Sequence, residues 1–300
     1  MGYHIRRRES VEEAVRRIAV EEIAGAIDDV RLRQPTVHEA VHELRKRCKK
    51  IRGLLRLVRP RLGEVYAGEN AFYRDLSRDF SFVRDAQASL EALTRLIAHF
   101  ADQVQLQDFQ QLHAYLMTAR EEVAGSEHQL VEQLDQVVAP LEQARDRVAR
   151  WPIGDDGFET VAPGLMKTYR RARRAMNLAY RHPSMHNFHQ WRKRVKYHWH
   201  HAMLLQRSCP KLIKPHCRLA EQLGELLGQD HDYAGLRERL TDLQGSANLE
   251  LEKQRFIALI DRRQAELRVE MERLGRFLQG ETPRQLAARW RAYWETSRQL

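Results

Sequence analysis

One stretch of this sequence occurs twice at a fixed spacing. Val41-His42-Glu43-Leu44-Arg45-Lys46-Arg47-Cys48-Lys49-Lys50 is matched by Phe188-His189-Gln190-Trp191-Arg192-Lys193-Arg194-Val195-Lys196-Tyr197, each pair 147 positions apart. An α-helix turns once in about 3.6 residues, so residues three and four apart share a face. Val41, Leu44, Cys48, Ile51, Leu55 and Val58 form such an apolar seam in the first copy, and Phe188, Trp191, Val195, His198, Ala202 and Leu205 form one in the second. Off the seam the cations follow the same rule: His42, Arg45, Lys49, Arg52, Arg56 and Arg59 in one copy, His189, Arg192, Lys196, His200 and Arg207 in the other. Two long helices are expected, each half buried and each carrying a cationic stripe.

The offset persists downstream, where Phe80-Ser81-Phe82-Val83-Arg84-Asp85 aligns with Leu227-Gly228-Gln229-Asp230-His231-Asp232. A constant spacing over that much chain predicts duplicated helical bundles with equal loops, packed about a pseudo-twofold axis. Helix signals recur from end to end, while strand alternation and hairpin turns are missing, so the expected fold is all-α, with the duplication bringing the two basic helices into one shared feature. Ser10 with Glu13 opens a helix to about Arg33, and Thr36 with Glu39 opens the first basic helix, stopped at Pro60 to Gly63. One helix is expected over about 68–101, another over about 108–124, and a fifth from Ser126 to about Arg150. After a linker at 151–157, rich in Pro, Gly and Asp, helices are expected over about 158–181, from Ser184 to Cys209, from Pro215 to about Gln244, over about 248–277, and from Thr282 onward. The halves are thus 1–152 and 158–300.

Charge distribution narrows the function. Residues 160–220 hold 14 Lys/Arg, seven His and no acid, and residues 44–63 hold nine Lys/Arg and no acid, in a chain of net charge +10. A solvated helix face usually mixes signs, so unrelieved positive charge points to a polyanionic partner. Three cysteines with no paired short spacing indicate neither a disulfide framework nor a zinc site, and no apolar run is long enough to span a bilayer. A soluble, cytoplasmic protein is expected. A third basic helix places Lys167, Arg170, Arg174 and Arg181 opposite a seam of Leu165, Tyr169, Ala172, Met176 and Ala179, and Lys211 and Lys214 lie between Pro210 and Pro215, where a rigid turn would present both amines. A phosphate chain carries charge at every unit, and Arg, Lys and His at helical spacing match it along a rigid scaffold.

The doubled pattern of His, two residues, Arg, three residues, Lys, with a downstream Arg-Asp in the first half and Leu-Gly-x-x-x-Asp in the second, resembles the CHAD family, the conserved-histidine α-helical domain, over roughly residues 3–280. The resemblance implies two four-helix-bundle-like halves related by pseudo-twofold symmetry, with a basic groove or pore between them that binds inorganic polyphosphate without catalysis, and residence at polyphosphate granules where the host makes them. His42, Arg45, Lys49 and Arg52 match the first motif; His189, Arg192, Lys193 and Lys196 match the second. Lys46, Arg56, Arg170, Arg174, His200, Lys211 and Lys214 complete the candidate set. Family members often carry Arg-Tyr-x-x-Glu after the second motif, where this chain has Trp199, His200 and Met203, so the second half is expected either to bind less strongly or to use Arg174, Lys211 and Lys214 to compensate.

Other chemistries find less support. His38 with His42, His182 with His186, and His186 with His189 have helical ligand spacing, but no carboxylate or thiolate joins them and the surrounding cations oppose a divalent ion, so no metal and no cofactor is expected. Nucleophile-elbow, phosphate-loop and zinc-protease motifs are missing, and Asp85 and Asp232 read as ion-pair anchors among arginines. Single-stranded nucleic acid is the rival ligand, because Trp191, Tyr197 and Trp199 are interleaved with cations. Trp191 lies on the seam, and the first copy has Lys50 and Arg52 opposite the other two, so the repeat preserves groups that read phosphates and not bases.

Overall fold

The computed structural model describes residues 2–124, 127–154 and 157–299, the side chains of 81–86, 122–124 and 127 left aside. The fold is all-α, 85% helical, with no strand among the described residues. The α-helices among the described residues are α1 (Val11–Leu32), α2 (Val37–Leu57), α3 (Arg59–Leu62), α4 (Val65–Asp79), α5 (Ser81–His99), α6 (Gln110–Ala124), α7 (Glu127–Arg147), α8 (Ala162–Arg181), α9 (Met185–Leu205), α10 (Pro210–Asp242), α11 (Ala247–Leu278) and α12 (Pro283–Gln299). Capping chemistry sets the starts. The Ser10 hydroxyl accepts from the Glu13 amide while the Glu13 carboxylate accepts from the Ser10 amide, Thr282 and Gln285 make the same reciprocal pair at α12, and the hydroxyls of Thr36, Ser184 and Ser246 accept from the amide three residues on to cap α2, α9 and α11.

Two expected elements differ. The helix over 68–101 is two helices, α4 and α5, broken at Phe80, whose ring is buried and whose carbonyl accepts a hydrogen bond from Arg45. No Pro or Gly marks that break, because a tertiary contact and not a local signal makes it. Conversely, α10 starts at Pro210 and runs through Pro215, since Ile213 and Cys217 on either side are both anchored in the core. Lys211 and Lys214 therefore sit on the first turns of a helix, not on a turn between prolines. Gly125 and Ser126, the expected stop and cap between α6 and α7, lie outside the described residues.

Burial follows the seams: every seam residue of α2, α8 and α9 named above is buried, and a fully buried Leu, Ile or Val contributes roughly 1.5–3 kcal/mol. They feed two apolar cores, each of which mixes residues from both sides of 152–158. One core gathers α1, α2, α4, α7 and α12 with the start of α8 and the end of α9; the other gathers α5, α6 and α11 with the rest of α8, α9 and α10. Trp151 and Ile153, in the expected linker, are buried in the first core, where Arg16 donates to the Trp151 carbonyl at 2.9 Å.

The two basic helices, α2 and α9, pack on each other. Gly53 makes this possible, because a Cβ there would stand 2.8 Å from the Cβ of His200. The His201 ring meets the Gly53 carbonyl at 3.1 Å, and the chain before α1 straps over the crossing, with Tyr3 donating to the Lys50 carbonyl at 2.7 Å. No described helix is long and apolar enough to cross a membrane.

Candidate functional site

Helix α2 carries cations on two faces with opposite fates. Towards α1 they are neutralised: Lys50 lies 2.9 Å from the Glu22 carboxylate, and Arg47 bonds Asp29 at 2.5 Å and Glu22 at 3.3 Å. The other face presents Arg45, Lys49, Arg52 and Arg56, a row of about 17 Å at 1.5 Å per residue, and Arg59 follows at the start of α3. Arg45 donates to the Phe80 carbonyl, Arg52 to the Asn70 side chain at 3.4 Å, and Arg56 to the Arg52 carbonyl at 2.8 Å. Exposed Lys46 is drawn aside by Glu43 at 2.9 Å, and exposed His42 begins the row.

On α9, Arg192 and Lys196 lie across α10, against Gly228 and Gly224. A Cβ at Gly224 would meet Lys196 Cε at 3.0 Å, and one at Gly228 would meet Arg192 Nε at 3.6 Å. This is what the Leu-Gly-x-x-x-Asp stretch does locally: small residues four apart make a track for two long cationic side chains. Lys193 is exposed beside Arg52, and burial together with Arg194, Arg52 and Arg192 lowers its pKa. Burial and Arg192 also lower that of Lys196, against the pull of Glu225 and Glu221.

Between α2, α3, α4, α8 and α9 lies a narrow cleft, lined by Arg56, Arg59, Lys167, Arg171, Arg194, Tyr66 and Tyr197 with Gly164 and Thr168. Among the described residues no carboxylate reaches ion-pair distance of these five cations. Tyr197 and Tyr66 hold the arginines by their faces, with the Arg56 guanidinium 3.8 Å from the centre of Tyr197 and that of Arg59 4.4 Å from Tyr66. The crowding is felt: Arg59, then burial and Arg171, lower the pKa of Lys167, and burial followed by Arg171 lowers that of Arg194. Arg170 and Arg174 are exposed on α8, each three residues beyond a cleft cation, Lys167 and Arg171.

Several expected residues stand elsewhere. His200 is buried at the α2 crossing, against Tyr3 and facing Lys196, Lys50 and Lys49, and burial pushes its pKa down to about 3. It is a neutral packing group and not a donor on the stripe. His189 is half-buried against His231, ring centres 4.3 Å apart, and is likewise pushed down to about 3, first by burial. Lys211 and Lys214 lie about 20 Å along α10 from the glycine track, at 1.5 Å per residue, and do not line the cleft. Asp232 approaches Arg95 at 3.8 Å, as an ion-pair anchor would, and the side chain of Asp85 lies outside the described residues. No group of three or more His, Cys, Asp or Glu among the described residues is placed to hold a metal ion.

Arg59, Lys167, Arg171, Arg194, Tyr66 and Tyr197 were not in the candidate set. The missing acid from 160 to 220, which applies to all of α8 and α9 and not only to the repeated motif, could have found Lys167, Arg171 and Arg194, and that from 44 to 63 could have found Arg59. Comparison with known proteins gives one family: the CHAD domain matches residues 14–241. No curated protein matches the chain. The matched region runs from α1 to α10, about three quarters of the sequence, and takes in both copies of the repeated stretch, so the chain belongs to the CHAD family.

Proposed function

We propose that this protein binds inorganic polyphosphate, and catalyses no reaction on it, along the basic surface shared by α2, α8 and α9. One observation carries the reading: cations facing α1 are paired with carboxylates, whereas those around the cleft have tyrosine faces, carbonyls and one another for company. Such a cluster is stabilised by a ligand that brings its own row of charges. The family is linked to polyphosphate, which supports the same ligand. A groove shared by two related halves is supported by the crossing itself, since Gly53 and His200 are 147 positions apart like the repeated motifs. Work in the cytoplasm, at polyphosphate granules where the host forms them, belongs to this reading.

Polyphosphate is favoured over nucleic acid because the aromatic groups are already engaged. Trp191 is buried, Tyr197 is covered by Arg56, and the Trp199 ring has Lys196 at 4.7 Å. Stacking of successive bases needs open aromatic faces. The test is competition: a labelled long-chain polyphosphate displaced by unlabelled polyphosphate, single-stranded RNA or duplex DNA. Displacement by polyphosphate at far lower phosphate concentration than by either nucleic acid is expected, and the reverse order would overturn the reading.

A further inference from the structure

The charge along the stripe is lopsided. Past Gly53 towards the end of α2, the arginines Arg56 and Arg59 meet Arg194 of α9 and Lys167 and Arg171 of α8 in one cleft. On the other side of the crossing, the positions 147 away from Arg56, Arg59, Lys167 and Arg171 hold Met203, Gln206, Val20 and Ala24. There Arg47 and Lys50 are neutralised by Glu22, and the Tyr3 strap lies over the helices. The duplication has thus kept the stripe in both halves and built a cationic cluster at one end only.

We propose that this cleft seats the terminal phosphoryl group of a linear polyphosphate, with the rest of the chain running back past Arg52 and Lys193 towards Lys49. The inference rests on the polyphosphate reading and adds an orientation to it. An internal unit of the chain has one negative charge and two non-bridging oxygens, whereas a terminal phosphoryl group has three such oxygens and, like a phosphate monoester, about −1.5 to −2 charges at neutral pH. Five cations around one small volume gain most from the most highly charged unit, and arginine edges fit paired oxygens. Tyr66 and Tyr197 support that role by fixing the planes of Arg59 and Arg56 before the ligand arrives. Gly164 sets how tightly α8 closes on the cleft, since a Cβ there would lie 1.9 Å from the Leu57 carbonyl oxygen.

The test uses the full chain and linear polyphosphate of one length, either with free ends or with both terminal phosphates capped as phosphoramidates. Capping should lower affinity for the wild type at least about tenfold, the scale of one lost hydrogen bond to a charged group. In Lys167→Ala/Arg171→Ala, capped and free chains should bind alike. Arg170→Ala/Arg174→Ala removes the same charge from the same helix outside the cleft, and should weaken both forms while keeping the capping penalty. Linear triphosphate should compete for the wild type, and trimetaphosphate, a ring with no terminal group, should not. Equal binding of capped and free chains by the wild type would overturn the end seat while leaving the polyphosphate reading standing, as would a capping penalty that survives in Lys167→Ala/Arg171→Ala. Binding of neither form would overturn the polyphosphate reading itself, and the end seat with it.

Discussion

Mild acid should undo this fold, and the cause lies at the α2–α9 crossing. His198, His200 and His201 are buried side by side on α9; His198 meets His216 of α10 at 2.7 Å between ring nitrogens, and Trp290 of α12 stacks on it. Burial, the first cause in each case, lowers the pKa of all four, to about 3 for His200 and His201 and about 4 for His216. The charges facing them are mostly positive: Lys196, Lys50 and Lys49 at His200, Arg56 at His201, and Arg289 opposed by Glu281 at His216. Because the folded values lie below the unfolded 6.5, the unfolded chain binds protons first, so stability is complete above about pH 6.5 and is lost as pH falls towards 4 to 3. At about pH 5 each of His200, His201 and His216 withdraws about 2 kcal/mol, about 6 kcal/mol in all, against a usual total of about 5–15 kcal/mol. Asp230, raised by burial, works in the opposite direction and is a single group. Urea unfolding followed by circular dichroism at about pH 7.5 and about pH 5 should show the drop, and His200→Gln should reduce it by about 2 kcal/mol. A free energy of unfolding equal at the two pH values within about 1 kcal/mol would refute the reasoning.

Binding should depend steeply on salt: six or more phosphate contacts give a log–log slope steeper than about −4, by analogy with about −0.7 per contact on single strands, and titrations across an ionic-strength series would measure it. Gly164→Ala should force α8 away from the end of α2, because the new methyl would overlap the Leu57 carbonyl; a loss of about 1–3 kcal/mol in urea unfolding is expected.

Local signals carried the helices, and long-range contacts decided what local signals missed. Ser10, Thr36, Ser184 and Thr282 announce their helices because capping is chemistry within four residues. The break at Phe80 is invisible in sequence, since it depends on a buried ring and on Arg45, 35 positions away. Pro215 reads as a stop, yet the buried residues around it outweigh the one backbone bond a proline removes. In the site, the stripe of α2 was readable from its spacing. His200 shares the spacing of its own stripe but faces Gly53, and only the crossing turns that position inward. The cleft was out of reach for the same reason: Arg59, Lys167, Arg171 and Arg194 belong to three helices, and nothing in the order of residues says that α8 closes against the end of α2 at Gly164.

The central claim is that the stripe between α2 and α9 holds the polyanion, and Lys49→Gln/Arg52→Gln/Lys193→Gln tests it most directly. Lys49 and Lys193 are exposed, and Arg52 makes a 3.4 Å bond to Asn70 and lies 6.0 Å from the centre of the Tyr197 ring, both weak contacts, so helical content and melting temperature should stay at wild-type values. Polyphosphate affinity at physiological salt should fall about a hundredfold, from roughly 1 kcal/mol for each of three lost contacts. A folded triple variant that binds long-chain polyphosphate as tightly as the wild type would contradict the account.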